Sequence, residues 1–249
     1  MAEFPSRIPL DEKTWLLVLT GAGISAESGL PTFRGLGGLW ENQPVEKLAS
    51  PDGFREDPQL VWRFYSQRRR QALAAQPNPG HHALVRTEER LGDRFLLVTQ
   101  NVDGLHARAG SRRMLEVHGN ILRSRCFHCE RPAFEDSGCH EDDPPLCDAC
   151  EAKGRTGLLR PAVVWFGEML DSRHFAEIEG FLERGRAGRL VFLAVGTSGL
   201  VFPASHFVEW ARGAGGETWL VNADPAANQH AFDRFVQGKS GEVLPRLLT

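Results

Sequence analysis

The sequence predicts an α/β protein, a parallel sheet with helices on both faces, joined to a smaller lobe built from two insertions. Three observations carry that expectation. Short aliphatic runs alternate with longer helical segments through most of the chain. The first aliphatic run ends in Gly21-Ala-Gly-Ile-Ser25, the kind of glycine-rich turn that leads a strand into a helix beside a phosphate. Two Cys-x-x-Cys pairs, Cys126/Cys129 and Cys147/Cys150, interrupt the alternation. The turn and the alternation together make the expected sheet Rossmann-like. A chain of 249 residues suits one main domain with a smaller lobe. The main domain is expected to be discontinuous, 1–35, 80–119 and 160–249, with a helical and loop insertion at 36–79 and a zinc-ribbon insertion at 120–159.

In chain order, the expected strands are Trp15–Leu19, Phe95–Thr99, Met114–Val117, Val163–Phe166, Leu190–Val195 and Thr218–Val221. Each is short, rich in β-branched or aliphatic residues, and bounded by polar residues, Gly or Pro. Continuous rather than alternating hydrophobicity is what a strand buried on both faces requires. The expected helices are Pro58–Gln76, Gly80–Leu91, Arg173–Arg184, Pro203–Arg212 and Gly241–Leu248. No internal repeat interrupts the series.

At Gly21-Ala-Gly the glycines are expected because a Cβ would hold the backbone away from a pyrophosphate, while the following N–H groups supply donors. A hydride-transferring dehydrogenase also needs an acidic residue at the end of a second strand, about 20 residues on, to hold the ribose. Here that region is Phe33-Arg-Gly-Leu-Gly-Gly-Leu-Trp40, which reads as a loop closing over a ligand. A dinucleotide would therefore be used in some other way than hydride exchange.

The two cysteine pairs are separated by 17 residues, a spacing suited to a four-thiolate zinc ribbon rather than to a redox pair. Four sulfurs leave no open position for water, so the metal would be structural. Cys139 lies in an acidic linker between the pairs and is left over, as are His128 and His140. A net charge of −3 gives no electrostatic case for nucleic acid or a membrane surface. No apolar segment follows Met1 or is long enough to span a bilayer, so a cytoplasmic location is expected.

Three polar segments fall at the carboxyl ends of expected strands, where open α/β sheets bind ligands. They are Thr99-Gln-Asn-Val-Asp-Gly-Leu-His106, Glu116-Val-His-Gly-Asn120 and Gly196-Thr-Ser-Gly199. His118 stands out because so many hydrogen-bonding groups converge on the same rim.

Gly21-Ala-Gly-Ile-Ser25, Gln100-Asn-Val-Asp103, His118-Gly119, the paired cysteines, Val163-Val-Trp-Phe-Gly-Glu168, Gly196-Thr-Ser198 and Asn222-Ala-Asp224 occur in the order seen in sirtuins. The chain resembles these NAD-dependent protein-lysine deacylases from about Trp15 to Leu248. The resemblance implies that NAD is consumed: the acyl-lysine oxygen attacks the ribose carbon, nicotinamide leaves, and an alkylimidate forms. His118 would be the general base on a ribose hydroxyl, with Asn101 the second catalytic residue. The products would be free lysine and 2′-O-acyl-ADP-ribose. It further implies that Gly21, Ala22, Gly23, Ile24 and Ser25, with Gln100, Asn101, Val102 and Asp103, line the NAD pocket. Phe33, Arg34 and Trp40 would close over it, Gly196, Thr197 and Ser198 would face the phosphates and ribose, and Asn222, Ala223, Asp224 and Ser240 the adenosine end. The acyl-lysine would pair as an added strand along Val164, Phe166 and Gly167. Its partners would be acylated proteins, met by a monomeric enzyme.

Tyr65 is the chain's one tyrosine, and Arg68 follows it at i+3, so phenol and guanidinium share a helix face. Taken alone, the pair and the run Arg68-Arg-Arg70 read as a solvated helix surface. Within the resemblance they look like the mark of the class III branch, which prefers succinyl and malonyl groups, with Ala49 as the small residue that widens the acyl pocket. Arginine suits a planar carboxylate. Three other classes use parts of the same sequence. A nucleic-acid zinc ribbon lacks its basic face here, a dehydrogenase lacks its acidic ribose ligand, and a protein mono-ADP-ribosyltransferase would share the nicotinamide cleavage and differ in product.

Overall fold

A computed structural model describes residues 7–31, 39–40, 43–197, 204–226 and 228–249, with the side chains of 39, 40, 204 and 205 left aside. Six parallel strands form the main sheet: β1 (Thr14–Thr20), β4 (Phe95–Thr99), β5 (Met114–Glu116), β9 (Arg189–Val195), β10 (Glu217–Asn222) and β11 (Arg234–Gln237). Their spatial order is β11-β10-β9-β1-β4-β5. The chain moves outward from β1 through β4 to β5, then returns to β9 on the other side of β1. The order therefore reverses between β1 and β9, and this is where such a sheet opens a ligand crevice.

Both faces of the sheet are covered. Leu16, Val18, Leu97 and Val191 pack on one face with Leu84 of α5 (Pro79–Leu91) and Leu244 of α10 (Ser240–Leu247). Leu17, Leu19, Val98 and Phe192 pack on the other with Phe181 of α8 (Ser172–Gly185) and Phe207 of α9 (Ala204–Gly213). Alternate β1 residues thus serve opposite cores, which is why its sequence is apolar without a break.

The smaller lobe holds the short strands β2 (Leu39–Trp40) and β3 (Gln43–Pro44) and the helices α2 (Val45–Leu48), α3 (Pro51–Glu56) and α4 (Pro58–Ala74). A second, antiparallel sheet adds β6 (Gly119–Cys126), β7 (Phe134–Glu135) and β8 (Leu159–Val163). None of β2, β3, β6 and β7 was among the expected strands, and two further differences concern β8 and β11. The strand expected at Val163–Phe166 is β8, ends at Val163 and belongs to this antiparallel sheet; residues 164–168 form the loop after it. The edge strand β11 was not expected, because only Val236 of Arg-Phe-Val-Gln is buried and the run carries little hydrophobic signal. Among the described residues, no helix is long and apolar enough to cross a membrane.

The helical segment and the antiparallel sheet pack together around Val45, Phe54, Trp62, Phe64, Tyr65, Ile121, Val163 and Trp165, the last two lying past the expected end of the second insertion at 159. Arg69 of α4 is fully buried among them. Its guanidinium donates to the carbonyls of Ile121, Gly138 and Arg123 and to Ser124 Oγ, and pairs with Asp136 at 3.3 Å. The run Arg68-Arg-Arg70 is therefore not a uniform surface: Arg69 is core, and Arg70 pairs outward with Glu141 at 2.5 Å.

Candidate active site

The floor of the site is the crevice between β1 and β9. Gly21 N donates to Val195 O (3.0 Å) and Gly23 N to Gly196 O (2.8 Å), so the two loops leaving these strands touch backbone to backbone. A Cβ on Gly21 would lie 2.8 Å from Gly196 O, and one on Gly23 would lie 2.6 Å from Gly196 Cα. Gly196 has φ +63°, and a Cβ there would sit 2.3 Å from Ile24 N. The sequence assigns these glycines to the approach of a ligand; the structure assigns them first to the contact between the two loops.

One wall comes from the segment after β4. Asn101 Nδ2 donates to Gly21 O (3.1 Å) and to Ser25 Oγ (3.3 Å), and Ser25 Oγ donates to Asp103 Oδ2 (2.8 Å). Burial raises the Asp103 pKa, against the lowering effect of its bonds from Leu105 N and Ser25. Val102 O accepts from Ile121 N, anchoring the segment to the small sheet. Gln100 Nε2 is buried and has no hydrogen-bond partner among the described residues. A buried amide donor without an acceptor, beside a cluster of hydroxyl, amide and carboxylate groups, fits the ribose and carboxamide of a bound NAD.

His118 sits at the end of β5, half-buried, with Nδ1 3.0 Å from Gln100 O. A carbonyl oxygen only accepts, so Nδ1 carries the proton and Nε2 presents its lone pair. Burial lowers the His118 pKa from its ordinary value, partly offset by the Gln100 bond. The ring is thus neutral at pH 7, in the tautomer that can take a proton at Nε2.

The opposite wall is the loop 164–168. Val164 N donates to His118 O and Phe166 N to Ala49 O, both at 2.9 Å. Between them Trp165 points into the lobe core, and its Nε1 donates to the Tyr65 hydroxyl at 2.9 Å. Phe166 is exposed and Gly167 turns with φ +85°. On α4, burial pushes Tyr65 up to about 12, so it stays a neutral phenol, and burial also lowers Arg68. The Arg68 guanidinium lies over the Phe64 ring at 5.1 Å.

At the far end, Asn222 Nδ2 donates to Thr197 O (2.8 Å), and Ala223 and Asp224 follow on the exposed loop after β10. Ser240 is buried, and its hydroxyl donates to Glu27 (2.9 Å), which braces the helix after the glycine loop, α1 (Gly23–Ala26), against α10. Phe33, Arg34 and Ser198 lie outside the described residues, and Trp40 is described only as part of β2.

Away from this crevice, Cys126, Cys129, Cys147 and Cys150 bring their sulfurs within 4.8 Å of one another. The pairs Cys126–Cys150 and Cys129–Cys147 stand 3.7 and 3.8 Å apart. A tetrahedral zinc with Zn–S of about 2.3 Å places sulfurs about 3.8 Å apart, so the four cysteines are positioned for that ion. A Cβ on Gly157 would lie 2.5 Å from Cys150 Sγ, which explains the glycine behind the cluster.

Sequence reasoning missed three residues that shape the wall. It gave no separate role to Trp165, Arg160 or Glu168 beyond the place of two of them in the Val163–Glu168 motif. The signal available was the indole N–H, a donor that a buried tryptophan has to satisfy.

A model of the Sir2 family matches residues 21–203. The chain is 47% identical over 235 residues to NAD-dependent protein deacylase 2 of Pyrobaculum aerophilum, covering 93% of this chain and 89% of that one. It is 43% identical over 235 residues to the NAD-dependent protein deacylase of Pasteurella multocida, covering 94% and 96%. Among solved structures, a Sir2 homologue in complex with NAD superposes with a TM-score of 0.83 at 39% identity, covering 96% of this chain and 89% of that one. A mutant Sir2 homologue bound to 2′-O-acetyl ADP ribose superposes with a TM-score of 0.84 at 40% identity, covering 96% and 92%.

Proposed function

The chain belongs to the Sir2 family and is an NAD-dependent protein deacylase, and from that premise we propose that it removes succinyl and malonyl groups from protein lysines in preference to acetyl. The observation that carries this preference is the pair on one face of α4: Tyr65, buried in the lobe core, and Arg68, half-buried, with its guanidinium over the Phe64 ring. Tyr65 is tied through Trp165 to the loop that also bonds the His118 and Ala49 carbonyls. A guanidinium and a neutral phenol together offer a carboxylate a cation and a hydroxyl donor.

NAD, when bound, supplies a ribose carbon from which nicotinamide can leave and an ADP-ribose that accepts the acyl group. The chain's own residues do the positioning. Asn101, Asp103 and Ser25, fixed by their mutual bonds, would hold the ribose, and the unpartnered Gln100 Nε2 would donate to a ligand oxygen. His118 Nε2 takes the ribose hydroxyl proton while Gln100 O fixes its ring. The acyl-peptide would lie along the loop 164–167, whose N–H groups at 164, 165 and 166 are already bonded within the protein.

The test is kcat/KM on succinyl- and acetyl-lysine versions of one peptide, in the wild type and in Arg68→Met. A buried carboxylate left without its cation costs about 2–5 kcal/mol, so desuccinylation should fall by roughly 30-fold to several thousand-fold and deacetylation far less. Equal losses on both peptides would leave Arg68 as a helix brace. Formation of labelled protein in place of O-acyl-ADP-ribose would favour ADP-ribosyl transfer.

A further inference from the structure

We infer that Trp165 is a specificity-positioning residue: its indole N–H occupies the acceptor side of the Tyr65 hydroxyl, so that the phenol proton is directed into the acyl pocket, toward an acidic acyl group. The inference rests on the acidic-acyl reading above and names the group that makes Tyr65 a donor there.

The chemistry is one of roles. An indole N–H can only donate, so in the 2.9 Å contact the tyrosine oxygen accepts. A phenol O–H prefers the ring plane, and with one side taken by the indole its proton turns to the other. Burial keeps that proton on the oxygen, since the phenol ionises only near pH 12.

Trp165 can impose this direction because it is itself clamped. The Arg160 guanidinium lies 3.4 Å from the indole centroid. Glu168 closes the clamp with two bonds to Arg160 (2.6 and 2.9 Å) and one from Trp165 N (2.8 Å). Arg160 is itself buried, and also donates to Val163 O. Three features thus converge on one residue: a cation over its ring, a carboxylate on its backbone, and flanking backbone bonds from Val164 to His118 O and from Phe166 to Ala49 O. The same five-residue loop bonds the phenol through its indole and the backbone carbonyl of His118.

Tyr65 being the chain's one tyrosine supplies the readout. Full-length protein labelled with 3-fluorotyrosine reports from one site, Tyr65. Trp165→Phe keeps an aromatic ring and deletes the donor. It should move the fluorine signal in the free protein and lower the succinyl-to-acetyl ratio of kcat/KM about 5- to 30-fold, through KM for the succinyl peptide. In a Tyr65→Phe background it should leave the ratio where Tyr65→Phe alone put it. Thermal melting and zinc content verify folding, and Glu168→Gln, which loosens the clamp with the indole in place, should give a smaller change of the same sign.

A ratio unmoved by Trp165→Phe, or still falling in the Tyr65→Phe background, would overturn the inference. A wild type with no succinyl preference would sink the acidic-acyl reading, and the fluorine line would separate the two failures: moved by Trp165→Phe, the bond exists without acidic selectivity; unmoved, the brace itself is absent.

Discussion

The two halves of the site hold their chemistry in place by opposite means. On the sheet side, Gly21, Gly23 and Gly196 let two loops meet backbone to backbone, and there is no room for a side chain between them. On the lobe side, fully buried arginines do the joining. Arg69 gathers carbonyls from β6 and the segment after it, and Arg160 clamps Trp165 with Glu168. The difference teaches where each half is fragile. Close backbone contact fails when volume is added. Buried cations fail when a partner is removed, because the charge left behind has nowhere to go.

The comparison breaks most sharply at the metal. Stripping zinc should unfold the lobe and abolish deacylation while the parallel sheet keeps its structure. Structural zinc contributes an apparent ~10–16 kcal/mol in zinc-finger peptides, and the wall bearing Trp165 follows β8, which pairs with β6, the strand that ends at Cys126. Metal analysis with circular dichroism before and after chelation checks this; full activity in metal-free protein would refute it. Next in size is His118→Ala, which should lower turnover by roughly 10²–10⁴ and leave NAD affinity largely intact. Lost NAD binding with turnover preserved at saturation would make His118 a binding group.

A third test sharpens the sheet side. His81 and His106 are buried with ring centroids 4.8 Å apart. Burial, the larger cause, and a neighbouring histidine lower His81 to about 4, and hold His106 well below its ordinary value. The unfolded chain protonates these histidines near pH 6.5 and the folded one resists. Their contribution is therefore complete above about pH 6.5 and declines as pH falls toward 4, by roughly 3 kcal/mol for His81. Urea unfolding at pH 7 and 4.5 should show that loss and show less of it in His81→Gln. An identical decline in both proteins would assign it to other groups. The smallest expected effect is that of Gly196→Ala, about 1–3 kcal/mol of stability with a raised KM for NAD, as the loops part to admit a methyl group. An unchanged melt and KM would mean that the contact yields freely.

What was readable in the sequence follows the same division. The strands at 15–19, 95–99, 190–195 and 218–221 were visible because each is buried on two faces, which leaves a continuous apolar run. The cysteine cluster was visible because its spacing is local. Strand β8 was misplaced because Leu-Arg-Pro-Ala-Val carries an arginine and a proline, and Arg160 is fully buried only because Glu168 and the Val163 carbonyl receive it. Arg69 was hidden for the same reason: its acceptors are carbonyls 52 to 69 residues away, and a carbonyl leaves no trace in a sequence. Trp165 is a core aromatic, and nothing in its local sequence says more. Its second role depends on a phenol 100 residues earlier.

The Arg69 anchor has a bearing on how freely the lobe can vary. Three of its acceptors belong to the main chain, which every amino acid provides alike. The helix insertion therefore grips the path of the ribbon rather than its spelling. Residues 121, 123 and 138 can be exchanged for others of compatible size while the grip persists, whereas a one-residue insertion that shifts the path would release it. Substitutions in this segment should be borne lightly and length changes badly, although its solvent-facing positions look equally permissive to both.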